Sequence, residues 1–194
     1  SFNLSKGNNR LNVQSESNAA NAPLNVELKD FEIKTLTNFV QSDYEFGGRI
    51  NGVTKVTNLA QTPNFTADLN IDTFTVKKDT VGNIAIKINN RIANTFDTNI
   101  AITGNDNQVN LDGTYKTGNG QLDFVLDVVK LQMKSIQAFT FGVINQSTGF
   151  VNGKLDINGT AEIPSLNGSL KFNNVGMNVV ALNSKFQLIN DTVL

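Results

Sequence analysis

The sequence predicts an all-β protein, and three observations support that prediction. Apolar and polar residues alternate along most of the chain, as at Leu155 and Ile157 with Asp156 between them, which gives a strand one apolar and one polar face. The uncharged polar residues are mainly Asn, Thr, Gly, Ser and Gln, which suit turns and the solvent face of sheets and form poor helices. Residues with turn chemistry separate the alternating segments, for example at 104–107 and 118–120.

The strands follow one another between these turns. In the first half of the chain the predicted strands span 2–4, 10–14, 24–33, 44–52, 55–57, 65–71, 74–77, 84–88 and 95–102. In the second half they span 109–115, 121–133, 150–157, 161–163, 169–172, 177–180 and 185–188. Helical spacing is confined to the stretch after the long strand of each half, at Leu36, Phe39 and Val40 and again at Ile136 and 139–143. A single helical turn or a short helix is expected there.

The long strand of each half changes phase at one place. In the second half the alternation slips at Val128-Val129, and in the first half Lys29-Asp30 intervenes at the matching position. One extra residue in a strand produces such a slip. The sequence therefore predicts a β-bulge and a bend in the sheet at both places.

The two halves of the chain are copies of one unit. Residues 9–13 match residues 107–111 at an offset of 98, and Pro63 and Phe65 match Pro164 and Leu166 at an offset of 101. The offset drifts slowly, as small loop insertions would produce. The sequence therefore predicts two β repeat units, 1–97 and 98–194, which are parts of one continuous sheet and a piece of a longer protein.

Composition limits the classes of function. The chain has 194 residues, 39% of them hydrophobic and 17% charged, and its formal net charge is −1. A chain so close to neutral lacks the basic surface that nucleic-acid phosphates require, so no nucleic-acid partner is predicted. It contains no Cys, so strand pairing and apolar burial must hold the fold without disulfides. It also has no run of 18 apolar residues that could span a bilayer as a helix.

The residue types argue against catalytic chemistry. Without His or Cys the chain has no Ser-His-Asp triad, no Cys nucleophile and no usual zinc site. Carboxylate pairs such as Asp68 and Asp72 fall on polar strand faces, where solvated charges are ordinary. The stretch 105–113 resembles a calcium loop in composition but lacks the spacing and the terminal Glu of an EF-hand. We therefore predict no enzyme activity, no catalytic residue, no cofactor and no metal site.

Function then depends on what covers the apolar faces of the strands. No long amphipathic helix is available, so two sheets could cover each other, or one sheet could leave its apolar face open to a ligand. The 13 Phe residues, beside two Tyr and no Trp, suit both a dry core and a surface for acyl chains. The repeat favours the open face, because stacked units can carry one apolar surface over a great length.

The second half carries a pattern of Gly-Thr, a short gap and then Pro-x-Leu-x-Gly-x-Leu-x-apolar. Its residues are Gly159, Thr160, Pro164, Leu166, Gly168, Leu170 and Phe172. This pattern resembles that of the TamB family, large periplasmic β-proteins related to AsmA and to bridge-like lipid-transfer proteins. The first half departs from it, since Asn51-Gly52 lies eleven residues before Pro63, whereas Gly159 lies five residues before Pro164.

The resemblance implies an elongated, curved, mostly antiparallel sheet that forms an open, U-shaped (taco-like) hydrophobic trough. It implies a location in the periplasm, with the parent protein anchored in the inner membrane of a Gram-negative cell envelope. It also implies intermembrane phospholipid transport, outer-membrane protein assembly, or both. The implied partners are phospholipid acyl chains or nascent β-strands, and a TamA/BamA-type outer-membrane protein that other regions of the parent would contact.

The candidate lining residues of the trough are the apolar positions that match between the two units. They are Leu24, Val26, Leu28, Phe65, Leu69, Ile71, Phe74, Leu122, Phe124, Leu126, Leu166, Leu170, Phe172 and Val175. Exposed sheet edges are also expected, through which the isolated chain would form an edge-to-edge dimer. The alternative is a closed β-sandwich adhesin or surface-binding module, with a filled core in each unit and no lipid groove.

Overall fold

A computed structural model describes residues 1–37, 45–60 and 63–193. In this part of the chain thirteen strands form one antiparallel sheet. Nearly every strand pairs with the strand before it in the chain, so the sheet is a meander, and its first and last strands do not pair with each other. The predicted all-β fold with an open antiparallel sheet is therefore confirmed. A closed sandwich of two sheets is not the architecture of the described residues.

The strands are β1 (Phe2–Lys6), β2 (Asn9–Ser15), β3 (Leu24–Glu32), β4 (Phe46–Thr57), β5 (Asn64–Val76), β6 (Asp79–Ile92), β7 (Thr95–Gly104), β8 (Asn107–Lys116), β9 (Gln121–Gln132), β10 (Ile144–Thr160), β11 (Pro164–Val179), β12 (Ser184–Leu188) and β13 (Asp191–Val193). Helix α1 (Ile33–Thr37) follows β3, helix α2 (Met133–Ala138) follows β9, and a 3-10 turn (Val180–Leu182) precedes β12. The short helices expected after the long strands are therefore present. Phe39, Val40 and Tyr44, which the sequence predictions include, lie outside the described residues.

Several predicted strands are pieces of longer ones. The predicted segments 65–71 and 74–77 form the single strand β5, and the long strand β11 includes 169–172 and most of 177–180. Glycines and bulge residues do not end these strands, because pairing with both neighbouring strands continues across them. The short strand β13 was not predicted.

One predicted strand is wrong. Residues 161–163 form the turn between β10 and β11, where the N–H of Ile163 donates to the carbonyl oxygen of Thr160 at 3.1 Å. The N–H of Thr160 donates back to the carbonyl oxygen of Ile163 at 3.2 Å. The turn closes here because Pro164, which has no N–H, begins the next strand.

Both predicted β-bulges are present. In β3 the register with β4 shifts between Leu28 and Phe31, and Asp30 has a left-handed φ of 48°. In β9 the register with β10 shifts just after Val128. The bend that was predicted to accompany the bulges stays a prediction.

Two further strands carry the same irregularity. The register shifts after Ile71 in β5, where Thr73 has a φ of 50°, and near Asn174 in β11, where φ is 47°. The extra residue returns the next apolar side chain to the face that held the previous ones. The four bulges therefore keep one face of the sheet apolar over the full length of its long strands.

The order of elements is the same in both halves of the chain. A bulged strand, a short helix and two long strands occur as β3, α1, β4 and β5 and again as β9, α2, β10 and β11. The division predicted between residues 97 and 98 falls inside β7, and β7 pairs with both β6 and β8. The sheet is therefore continuous from one unit to the next.

Candidate functional site: an open apolar face

The register of the sheet aligns apolar side chains in rows that run across the strands. Residues paired between neighbouring antiparallel strands lie on the same face, with their side chains in contact range. One row, the central row, takes one residue from each strand from β1 to β11. Its members are Leu4, Leu11, Leu28, Gly52, Leu69, Ile86, Ile100, Leu111, Leu126, Leu155 and Gly168. The apolar face is the face of the sheet that carries this row.

At one end of the strands the apolar face is covered. Helix α2 packs there through Met133 and Ala138, which are 3% and 5% exposed. Two core clusters result, one with Val76 and Val81 and one with Val151 and Val175. The closed half is the part of the apolar face occupied by these two clusters and by the partly buried side chains around them.

The rest of the apolar face, from the central row to the opposite strand ends, is the open half. In the described residues all strands belong to one sheet, so no second sheet covers it. The central-row side chains of β2, β3 and β5 to β10 are all half-buried, and Leu4 of β1 is 44% exposed. Aliphatic side chains occupy nine of the eleven positions of this row, with Gly52 and Gly168 at the other two, and each of the nine keeps part of its surface in contact with solvent.

Most of the predicted lining residues lie in or beside the open half. Those that are half-buried there are Leu24, Val26, Leu28, Leu69, Leu122, Phe124 and Leu126. Two more are exposed: Leu166 at 62%, and Phe65 at 38% with its ring centroid 4.8 Å from that of Phe96. The register brings these nine residues together on one face.

The other five predicted lining residues lie on the side of the closed half. Ile71 is one row beyond the central row in that direction, where it pairs with Ile50 and Ile84. Val175 is 1% exposed and belongs to the core cluster of Met133. Leu170 and Phe172 pack against that cluster, and Phe74 packs against the cluster of Val76. The interior of the protein encloses Val175, so it forms part of the dry core and not of an open surface.

Sequence reasoning missed the middle of the face. Ile84, Ile86 and Ile88 of β6 continue the rows of β5, and Ile100 and Ile102 of β7 continue them further. The candidate lining residues were chosen as apolar positions that match between the two repeat units, and no position of β6 or β7 was among them. The Ile-x-Ile-x-Ile alternation of β6 is itself a strand signal that could have found them.

A second row of the open half contains small side chains. Between Val26 on β3 and Phe124 on β9 it runs through Thr54, Ala67, Ile88, Thr98 and Gly113. Small residues at four of these positions lower the surface beside the larger aliphatic side chains of the central row. The arrangement is a shallow apolar depression across the strands.

Charged and amide side chains lie away from this surface. On the polar face Asn99 donates to Asn110 at 3.1 Å and also bonds Asp112. At the open ends of the strands the Lys55 ammonium lies 2.6 Å from a carboxylate oxygen of Glu16. Hydrogen bonds from Lys55 and then Asn25 hold the pKa of Glu16 below its ordinary value. No chemistry beyond apolar contact is therefore indicated on the apolar face itself.

Within the described ranges no three His, Cys, Asp or Glu side chains lie close enough together to hold a metal ion. Among the helices of those same residues none combines the length and the hydropathy needed to cross a membrane.

Comparisons of the chain with protein-family models, with curated proteins and with solved structures give no match. A function is therefore inferred from the sequence pattern, the fold and the open apolar face.

Proposed function

We propose that this chain is a segment of a TamB-like envelope protein and that the open half of its apolar face carries phospholipid acyl chains between membranes. In this proposal the protein works in the periplasm of a Gram-negative cell, and the sheet acts as one stretch of a longer trough. The single observation that supports it most is the central row, in which nine aliphatic side chains and two glycines cross eleven strands and which no second sheet covers among the described residues.

The physical basis of the proposal is transfer of acyl chains out of water. Each CH₂ group that is fully removed from water contributes about 0.8 kcal/mol, so a lipid tail must contact the sheet along many of its methylenes to outweigh the cost of association. The headgroup remains in water beyond the strand ends, near Glu16, which follows β2. The protein therefore needs no polar contact on the apolar face to bind a lipid.

Movement along the trough follows from the uniformity of the rows. Leu69, Ile86, Ile100, Leu111 and Leu126 present similar aliphatic surface on successive strands. A tail that moves by one strand spacing, about 4.8 Å, loses contacts and gains equivalent ones. No position on such a surface binds a tail much more tightly than the neighbouring positions, so a tail can move along the sheet.

Photocrosslinking tests the proposal. A photoreactive residue replaces Leu69 or Leu126 in the chain, which is produced in the periplasm of a Gram-negative bacterium and irradiated. Phospholipid adducts are expected at both positions, because both side chains are half-buried members of the central row.

The matched controls are Asn70 and Asp127, the next residues along the same strands, which are exposed on the polar face. Val175 is the control for an enclosed apolar site, and it should label only protein. Equal lipid capture at Asn70 and Leu69, or capture of protein alone at Leu69 and Leu126, would contradict the proposal.

Assembly of outer-membrane proteins is the second candidate function. The observation that favours it is the edge strand β1, all five residues of which are exposed, since an unpaired edge can accept a strand from another polypeptide. The same experiment separates the two functions. Capture of an unfolded outer-membrane protein in place of phospholipid at Leu69 would support assembly.

A further inference from the structure

Five Asn-Gly pairs occur in the chain, and one of them differs from the others in its place in the fold. Four lie inside strands: Asn51-Gly52 in β4, Asn152-Gly153 and Asn158-Gly159 in β10, and Asn167-Gly168 in β11. The fifth, Asn119-Gly120, lies in the turn between β8 and β9, and Asn119 is exposed. Asn-Gly pairs are chemically labile, because glycine has no Cβ to hinder attack by its backbone nitrogen on the asparagine side chain.

The reaction of such a pair is deamidation through a cyclic imide. A base removes the proton from the backbone nitrogen of the glycine, and that nitrogen attacks the side-chain carbonyl carbon, Cγ, of the asparagine. A new N–C bond forms, the bond from Cγ to the side-chain nitrogen breaks, and that nitrogen takes up a proton from water and leaves as ammonia. Water then opens the imide at either carbonyl carbon, which gives aspartate or isoaspartate. Water is the only co-reactant, and nothing is oxidised or reduced.

Strand pairing opposes this attack at four of the five pairs. Pairing with neighbouring strands holds their backbone extended, so the glycine nitrogen cannot turn toward Cγ without local opening of the sheet. Hydrogen bonds also hold the Asn51 side chain: its oxygen accepts the N–H of Asp30 at 2.8 Å, and its amide donates to the carboxylate of Asp72 at 3.0 Å. The side-chain oxygen of Asn152 accepts the amide of Asn173 at 2.6 Å.

At Asn119 the backbone lies outside the strand ladders, since β8 ends at Lys116 and β9 begins at Gln121. The side-chain oxygen of Asn119 accepts the N–H of Gln121 at 3.1 Å, which closes an Asx turn and folds the side chain back over the peptide bond to Gly120. The same N–H favours the attack, because it stabilises the negative charge that develops on this oxygen. No strand has to open before the reaction.

We propose that Asn119 is a site of modification by deamidation and that the fold protects the other four Asn-Gly pairs. The modification also affects the next turn, because the carbonyl oxygen of Gly120 accepts the N–H of Ala161 at 2.9 Å. Isoaspartate inserts an extra carbon atom into the main chain directly before Gly120 and so displaces this carbonyl. Both products place a carboxylate at the open ends of the strands, where the unmodified turn has an amide.

Peptide mapping tests the site. The folded chain is held at mildly alkaline pH and sampled over time, and trypsin then separates Asn51, Asn119 and Asn152 onto different peptides. Asn158 and Asn167 share one tryptic peptide and are distinguished by fragmentation. Mass spectrometry measures the conversion of amide to acid. The acid should form at Asn119 at least about tenfold faster than at any other pair, because only the strand pairs need an opening step.

Two controls separate the effect of the fold from that of the local sequence. In the chain unfolded by urea all five Asn-Gly pairs are exposed, so they should react at similar rates. Asn119→Ser removes the reacting amide and keeps a side-chain oxygen that accepts a hydrogen bond in the turn. This variant should lose the first acidic form that ion-exchange chromatography detects in the unaltered chain, and circular dichroism confirms that it is folded.

Hydrogen exchange at Ala161 tests the effect on the neighbouring turn. In the isoaspartyl form, isolated by ion-exchange chromatography, the Ala161 amide should exchange severalfold faster than in the unmodified chain, because its acceptor has moved. Asn119→Asp is the matched control, since it adds the same charge and leaves the main chain unaltered. Its Ala161 amide should exchange at the rate of the unmodified chain.

Three results would overturn the inference. Another Asn-Gly pair could react as fast as Asn119 in the folded chain. Asn119 could keep its amide in the folded chain over the time in which the unfolded chain is converted. The unfolded chain could show the same order of rates as the folded chain, which would assign the selectivity to the local sequence. The reaction needs no lipid, so these outcomes are independent of the proposed transport function.

Discussion

Gly52 and Gly153 set the backbone path of β4 and β10 at equivalent places. Their φ angles are 137° and 145°, a region that residues with a Cβ rarely adopt. A Cβ on Gly52 would lie 2.1 Å from the carbonyl oxygen of Asp68, and a Cβ on Gly153 would lie 2.1 Å from that of Ser169. The neighbouring strand therefore approaches too closely for any other residue.

Alanine at either glycine should destabilise the protein. For Gly52→Ala and Gly153→Ala we expect a loss of about 1–3 kcal/mol each in the free energy of unfolding from backbone strain alone, with the clash adding to it. Denaturant unfolding of the purified chain measures this loss. Gly118→Ala is the matched control, because no atom lies within 4 Å of its Cβ position and its φ is not left-handed. A loss no larger than that of Gly118→Ala would show that the strands can move apart.

Helix α2 depends on its surroundings. It has six residues, too few to be stable alone in water. Its own residues Met133, Ser135 and Ala138 are buried, and Asn107 of β8 donates a hydrogen bond to the hydroxyl of Ser135. The closed half of the apolar face therefore exists because tertiary contacts hold this helix over it.

Replacing Asn107 tests this dependence. Asn107→Ala should lower the free energy of unfolding by about 2–4 kcal/mol, because it leaves the buried carbonyl of Val81 and the N–H of Gln132 without their partner. Asn9→Ala is the matched control in the first unit, where the half-buried amide faces a cavity. Its loss should stay below about 1 kcal/mol in the monomer. Equal losses at the two positions would mean that the Asn107 hydrogen bonds contribute nothing specific.

The described strands all belong to one sheet. Because nearly every strand of the meander pairs with the next in the chain, most contacts link elements that are close in sequence. Central strands such as β7 and β8 are paired on both sides, whereas β1 is paired on one side only and β13 pairs along three residues. Stability is therefore expected to decrease from the centre of the sheet toward its edges.

Hydrogen exchange measures this gradient. At a dilution where the chain is monomeric, the amides of β6 to β9 should exchange most slowly and those of β1 and β13 fastest. Uniform protection from β1 to β13 in the monomer would contradict the gradient and indicate one all-or-none opening of the sheet.

The sequence alone determined the fold class, the strand alternation and the bulges at Asp30 and Val128. These features are local, because the apolar and polar alternation with a period of two, and its interruption at a bulge, both occur within a few consecutive residues. The pattern also predicted short helices after the long strands, and one of them, α2, lies at Met133–Ala138. It predicted fourteen lining residues on one face, and the structure positions nine of them on the open half.

Only the tertiary structure decided which part of the apolar face is open. Leu69 and Val175 have the same signature in the sequence, yet Leu69 is half-buried on the open half and Val175 is 1% exposed. The difference comes from α2, which folds back over distant strands and covers one end of the face. Strand pairing also joined Gly52 to Leu69 and Ile86 to Ile100, and so aligned a row that no single segment contains. Burial depends on what lies across the sheet, and a local pattern carries no information about that.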